Sequence, residues 1–114
     1  MDNTVKFKSY DFAVRIVKLC KYLQAEHKEY VLSKQLLRCG TSVGANVAES
    51  QQAQSRADFI SKLNIALKEA SETEYWLRLL RDTDYLTQVQ FNSIMHDCDE
   101  VKSLLVKIVK SSKE

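Results

Sequence analysis

The chain contains no proline and only two glycines, Gly40 and Gly44, in 114 residues. Sheets, sandwiches and flexible linkers place these residues at their turns, so the scarcity argues against a many-stranded or loop-rich fold and leaves long helices. No stretch approaches the roughly 18 consecutive apolar residues of a membrane span, and the opening Met1–Lys6 lacks the basic-then-apolar order of an export signal. Neither insertion nor export is expected. Three cysteines, Cys20, Cys39 and Cys98, are an odd number without CxxC spacing, which excludes a disulfide framework and a zinc knuckle and fits a reducing cytoplasm.

What is present suits one domain over residues 1–114, since a hydrophobic content of 45% at this length can supply a single core. A net charge of +2 is too mild to declare a nucleic-acid partner. Its distribution is uneven: residues 1–38 carry eight Lys/Arg against four Asp/Glu, residues 39–101 five against ten, and residues 102–114 four against one. The ends are basic and the middle acidic.

Spacing of apolar residues predicts four amphipathic helices. Phe12, Ile16, Leu19 and Leu23 share one face of a first helix over about Ser9–His27, with Ser9 or Asp11 as its cap and Ala13 and Cys20 widening the stripe. A second, from near Val31 or Ser33 to about Ala53, carries Leu32, Leu36, Cys39, Val43 and Val47. Each glycine inside it costs roughly 1 kcal/mol of helix propensity. With Ala48 they form a small-residue ridge that would admit a neighbouring backbone, unless the helix breaks at Gly40-Thr41-Ser42. The third helix, capped by Ser55 and Asp58, runs to about Asp82 with Phe59, Leu63, Ala66, Ala70, Thr73, Leu77 and Leu80 in strict four-three alternation. Thr87 and Gln90 form a capping box for a fourth, whose face is Ile94, Cys98, Val101, Leu105 and Ile108. Short polar connections favour an all-α, antiparallel up-and-down four-helix bundle.

Catalytic and metal chemistry find little support. His27 and His96 stand apart, and neither has a glutamate three residues before it, as the di-iron bundles require. Gly40-Thr41-Ser42-Val43-Gly44 lacks the Lys-Ser/Thr of a phosphate loop and follows no strand. The cysteines lie at or beside core positions, where they act as small apolar residues. No catalytic residue, cofactor, metal ligand or small-molecule substrate is expected. Asn46 reads as a polar lock in the core, and Glu49 as a partner for a cation on another helix or part of an exposed patch. Ile65, Trp76 and Leu79 cluster on the third helix away from its core stripe, among Lys62, Glu69 and Glu72; they suit a contact between protein chains or the flank of a wide core.

The stretch Leu36 to Glu49, Leu-Leu-Arg-Cys-Gly-Thr-Ser-Val-Gly-Ala-Asn-Val-Ala-Glu, resembles the "four helix bundle protein" family, also called 23S rRNA intervening-sequence proteins. Ser55–Leu63, Ala70–Leu77 and Tyr10-Asp11-Phe12 extend the resemblance along nearly the whole chain, although Ser50 departs from the glycine that many members place after the Ala-Glu pair. The resemblance implies an up-and-down subunit of a ring-like homopentamer. It also implies relatedness to the accessory variability determinant proteins of diversity-generating retroelements, which bind a reverse transcriptase and nucleic acid. The expected role is a non-enzymatic oligomeric scaffold or interaction protein, or alternatively a dedicated nucleic-acid-binding accessory protein. RNA or a nucleoprotein would meet the basic terminal helices, through Lys8, Arg15, Lys18 and Lys21 on the first and Lys102, Lys107, Lys110 and Lys113 on the fourth.

Overall fold

A computed structural model describes residues 3–113, and among them every regular element is helical: α1 Thr4–His27, α2 Leu32–Ser50, α3 Arg56–Asp82 and α4 Gln88–Lys113. Connections of only a few residues reverse the chain between successive helices. α1 lies beside α2 and α4, and α3 beside α2 and α4; the diagonal helices bring no Cα atoms within 8 Å of each other among the described residues. The result is the expected up-and-down bundle, an elongated body of 44 × 21 × 19 Å.

Its core follows the four stripes. Phe12, Ile16, Leu23, Leu36, Val43, Val47, Leu63, Leu77, Leu80, Val101 and Leu105 are all buried along the axis. Thr73 joins them without cost because its hydroxyl donates to the Glu69 carbonyl at 2.7 Å. The capping box of α4 closes in both directions, Gln90 N–H to Thr87 Oγ1 at 3.1 Å and Thr87 N–H to Gln90 Oε1 at 2.8 Å. At α3 the Ser55 hydroxyl accepts from Asp58 N–H at 3.0 Å, while the Asp58 carboxylate reaches back to Gln54 N–H.

The structure moves several boundaries. α1 begins at Thr4, not Ser9, because Val5 extends the stripe by another turn and Ser9 is buried inside it, its hydroxyl donating to the Lys6 carbonyl at 3.2 Å. α2 is one continuous helix through Gly40 and Gly44 and stops at Ser50 rather than Ala53. On α4 the last buried position is Val109, with Ile108 partly exposed beside it. α1 ends on Lys28 in the left-handed region, φ 54°, which lets Glu29 N–H close a bond to the Leu23 carbonyl.

The start of α2 uses a device that capping patterns do not reveal. Glu29 is buried, and its carboxylate accepts from the N–H groups of Val31, Leu32 and Ser33 at 3.1, 3.0 and 2.9 Å, satisfying otherwise orphaned donors of the first turn. Ser33 returns a bond from its hydroxyl to the Glu29 carbonyl at 2.9 Å.

Candidate interaction surfaces

The two glycines set how closely α1 lies on α2. A β-carbon at Gly40 would stand 2.7 Å from Ile16 Cγ2, and one at Gly44 would stand 3.0 Å from the Ser9 carbonyl oxygen. Ala48 is exposed and takes no part, so the ridge has two members rather than three. Asn46 is not a lock between helices: it is only half-buried, and its amide donates to the Ser42 carbonyl of its own helix at 2.8 Å. Glu49 is exposed and stands 3.8 Å from Lys62 of α3.

Of the apolar cluster on α3, Ile65 is 39% exposed, whereas Trp76 and Leu79 are half-buried. Trp76 packs against the core and its indole N–H donates to Glu72 at 3.1 Å, so it is anchored at the α2–α3 seam rather than standing free of the core. Arg38 of α2 binds Glu69 and Glu72 across the same seam.

A more exposed apolar surface lies elsewhere. Phe7, Tyr10 and Val14 of α1 recur at intervals of three and four on the side opposite Phe12 and Ile16, at 61%, 68% and 36% exposure. Gly44 brings the backbone at Ser9 and Tyr10 against α2, and the small side chains Thr41, Ala45 and Ala48 of α2 likewise lie on the side of their helix away from its core positions. The periodicity rule that finds the core stripe also finds this second one when it is applied twice to the same helix.

The basic terminal helices do not form the continuous positive surface expected from counting their lysines. Lys8 pairs with Glu100 at 3.1 Å, and Arg15 with Asp97 at 2.7 Å, Arg15 also donating to the Ser93 carbonyl and hydroxyl. Lys102 points to the other side of α4, where it meets Glu74 of α3 at 2.9 Å. That hydrogen bond is the main reason the Glu74 carboxyl is held below its ordinary range, with Arg78 adding to it. Lys18, Lys21, Lys107, Lys110 and Lys113 are exposed and hold no ion pair among the described residues. A cleft of about 460 Å³ between α1 and α4 is lined by Arg15, Lys18, Leu19, Val89, Gln90, Ser93 and Ile94.

No set of three or more His, Cys, Asp or Glu side chains converges on a point where a metal could sit among the described residues. His27 makes edge contacts with Tyr22 and Tyr85 at one end of the bundle. All three cysteines are buried, and burial is the main reason their thiols rise above the ordinary value of 9.0, Cys20 and Cys98 to about 12. Cys20 donates to the Ser33 carbonyl and Cys98 to the Ala70 carbonyl, so neither is poised as a nucleophile. Native protein at pH 8 should leave all three unreacted with a disulfide reagent over a period in which unfolded protein reacts completely. The folded state retains protons that the unfolded chain gives up, so stability should decline as pH rises from 9.0 towards about 12. Rapid labelling of native protein, or a flat stability profile across that window, would contradict this assignment. No helix of the described residues is long and apolar enough to cross a membrane.

Two comparisons place this chain among known proteins. The family model described as 23S rRNA-intervening sequence protein matches residues 1–107. A solved structure of a protein with unknown function from the S23 ribosomal protein family of Bacteroides thetaiotaomicron VPI-5482 is 63% identical, with a TM-score of 0.92 over 93% of this chain and 98% of that one. No curated protein matches.

Proposed function

We propose, from the premise that this chain belongs to the 23S rRNA-intervening sequence protein family, that it works as a non-enzymatic, self-associating interaction subunit in a reducing cytoplasm. The observation that carries this reading is the exposed stripe of Phe7, Tyr10 and Val14 on α1. α1 already buries one complete face in its own bundle, so a second apolar face with two aromatic side chains serves no packing need within the monomer. Aromatic residues on such a face give large contact area for little lost side-chain entropy, which makes them effective anchors between chains. Light scattering of purified protein at micromolar concentration should report several times 13.1 kDa, and near five times that mass if the ring is pentameric. A monomer under these conditions would overturn the reading.

Nucleic-acid contact is the second reading, supported by Lys18, Lys21, Lys107, Lys110 and Lys113, which are exposed and hold no ion pair among the described residues. A ring would repeat this modest charge around its rim and raise the avidity for RNA. Arg15, already paired with Asp97, is a poor choice for testing it. Reversing Lys18, Lys107 and Lys110 to glutamate should abolish binding of fluorescent RNA that weakens steeply with salt. Absence of saturable low-salt binding by the native protein would remove the reading and leave association between protein chains.

A further inference from the structure

We infer that the cleft between α1 and α4 is a binding site for a small organic anion, a carboxylate carried on an apolar tail. The inference is independent of self-association, because a single chain supplies every wall of the cleft.

The α1–α4 seam is the sparsest of the four, and near the start of α4 the two helices leave an open hollow of about 460 Å³ between them. That size falls within the roughly 300–1,000 Å³ usual for small-molecule sites. Its apolar part comes from both helices. Ile94 of α4 is buried, Leu19 of α1 is half-buried, and Val89 stands 78% exposed in the first turn of α4. A hydrocarbon tail laid across these three side chains would remove apolar surface from water on both partners.

The polar groups of the lining offer donors while their acceptors are already engaged. Gln90 Oε1 accepts from Thr87 N–H at 2.8 Å, and the Ser93 hydroxyl and carbonyl oxygens both accept from Arg15, at 2.9 and 3.1 Å. No side-chain oxygen in the lining is left without a hydrogen bond. The Lys18 ammonium holds no ion pair, and Arg15 Nε and Gln90 Nε2 hold no hydrogen bond among the described residues. The Ser93 hydroxyl, having accepted from Arg15, keeps its own proton to donate.

Charge points the same way. No acid lines this cleft, and Asp97, which neutralises Arg15, lies in a separate hollow of the same seam with Lys8, Asp11 and Glu100. Lys18 is therefore an uncompensated cation beside an apolar floor, and the positive end of the α4 dipole lies at the same place. A cationic ligand would meet Lys18 as a like charge, and a neutral one would forgo the charge-assisted bond. An anion with an apolar tail satisfies both parts of the cleft.

The test measures binding of octanoate to the full-length protein by equilibrium dialysis, below the concentration at which octanoate forms micelles. Binding should saturate at one molecule per chain. Octanol, which has the tail without the charge, and inorganic phosphate, which has charge without the tail, should each bind at least about tenfold more weakly. Lys18→Glu and Val89→Asp, both at exposed positions, should weaken octanoate binding by about the same factor or more with far-UV circular dichroism unchanged, whereas Lys18→Arg should retain it. Val106→Asp, a like change on an exposed part of α4 outside the cleft, should leave binding unaltered. Absence of saturable octanoate binding, equal binding of octanol or phosphate, full binding by either cleft variant, or an equal loss in Val106→Asp would overturn the assignment.

Discussion

Replacing Gly40 with leucine is expected to lower the unfolding free energy by about 3 kcal/mol, the upper end of the usual cost of overpacking. The residue is buried, and its first added carbon would already stand 2.7 and 2.9 Å from the two γ-carbons of Ile16. Ile16 cannot swing clear, since it is wholly buried and β-branched, with its χ1 restricted by its own helix. The obstacle at Gly44 is the backbone of α1, at Ser9, and Gly44→Leu should cost about 1–3 kcal/mol by the same mechanism. In an unpacked helix both changes would be favourable by nearly 1 kcal/mol, so the sign separates helix propensity from packing. Urea denaturation provides the measurement, and a midpoint unchanged or raised in both variants would show that α1 and α2 have room to spare.

Glu29→Ala should cost about 2–3 kcal/mol, because one truncation strips three backbone donors of their acceptor at the start of α2. Loss of the negative charge beside the positive end of that helix adds to the effect. Glu29→Gln is an informative companion. One carboxylate oxygen serves Val31 and Leu32 and the other serves Ser33, so an amide can satisfy only one side and turns N–H groups toward donors on the other. Glutamine should therefore recover only part of the loss, as read from thermal or denaturant midpoints. Full recovery by glutamine would mean that one of the two sides contributes little.

The bundle was legible because its core obeys simple periodicity: the four-three pattern from Leu63 to Leu80 is buried at every position as the spacing predicts. Errors fall where a polar side chain does something other than its commonest task. Ser9 has the chemistry of a cap, but in the structure its hydroxyl is satisfied by its own helix and the residue lies in the core. Glu29 is a cap, yet it acts from within a turn whose shape depends on Lys28 adopting positive φ, a conformation composition does not announce. On the surface, counting lysines was insufficient because Asp97 and Glu100, three residues apart on one side of α4, lie opposite Arg15 and Lys8. The stripe of Phe7, Tyr10 and Val14 follows the same helical spacing on a second face of α1, which a pattern of one buried face per helix does not mark.

The four seams between neighbouring helices also govern how the chain can fold. Three of its four seams join helices adjacent in sequence, so they form at small cost in loop-closure entropy. The α1–α4 seam joins opposite ends of the chain and is the sparsest of the four. Rapid folding is expected from a topology so dominated by local contacts, with docking of α4 against α1 as the closing event. Mutations in that seam, such as Asp97→Ala, should then mainly accelerate unfolding, whereas mutations between α2 and α3 should also slow folding. Stopped-flow kinetics distinguish the two: an equal slowing of folding by both sets would place the first and last helices together already at the barrier.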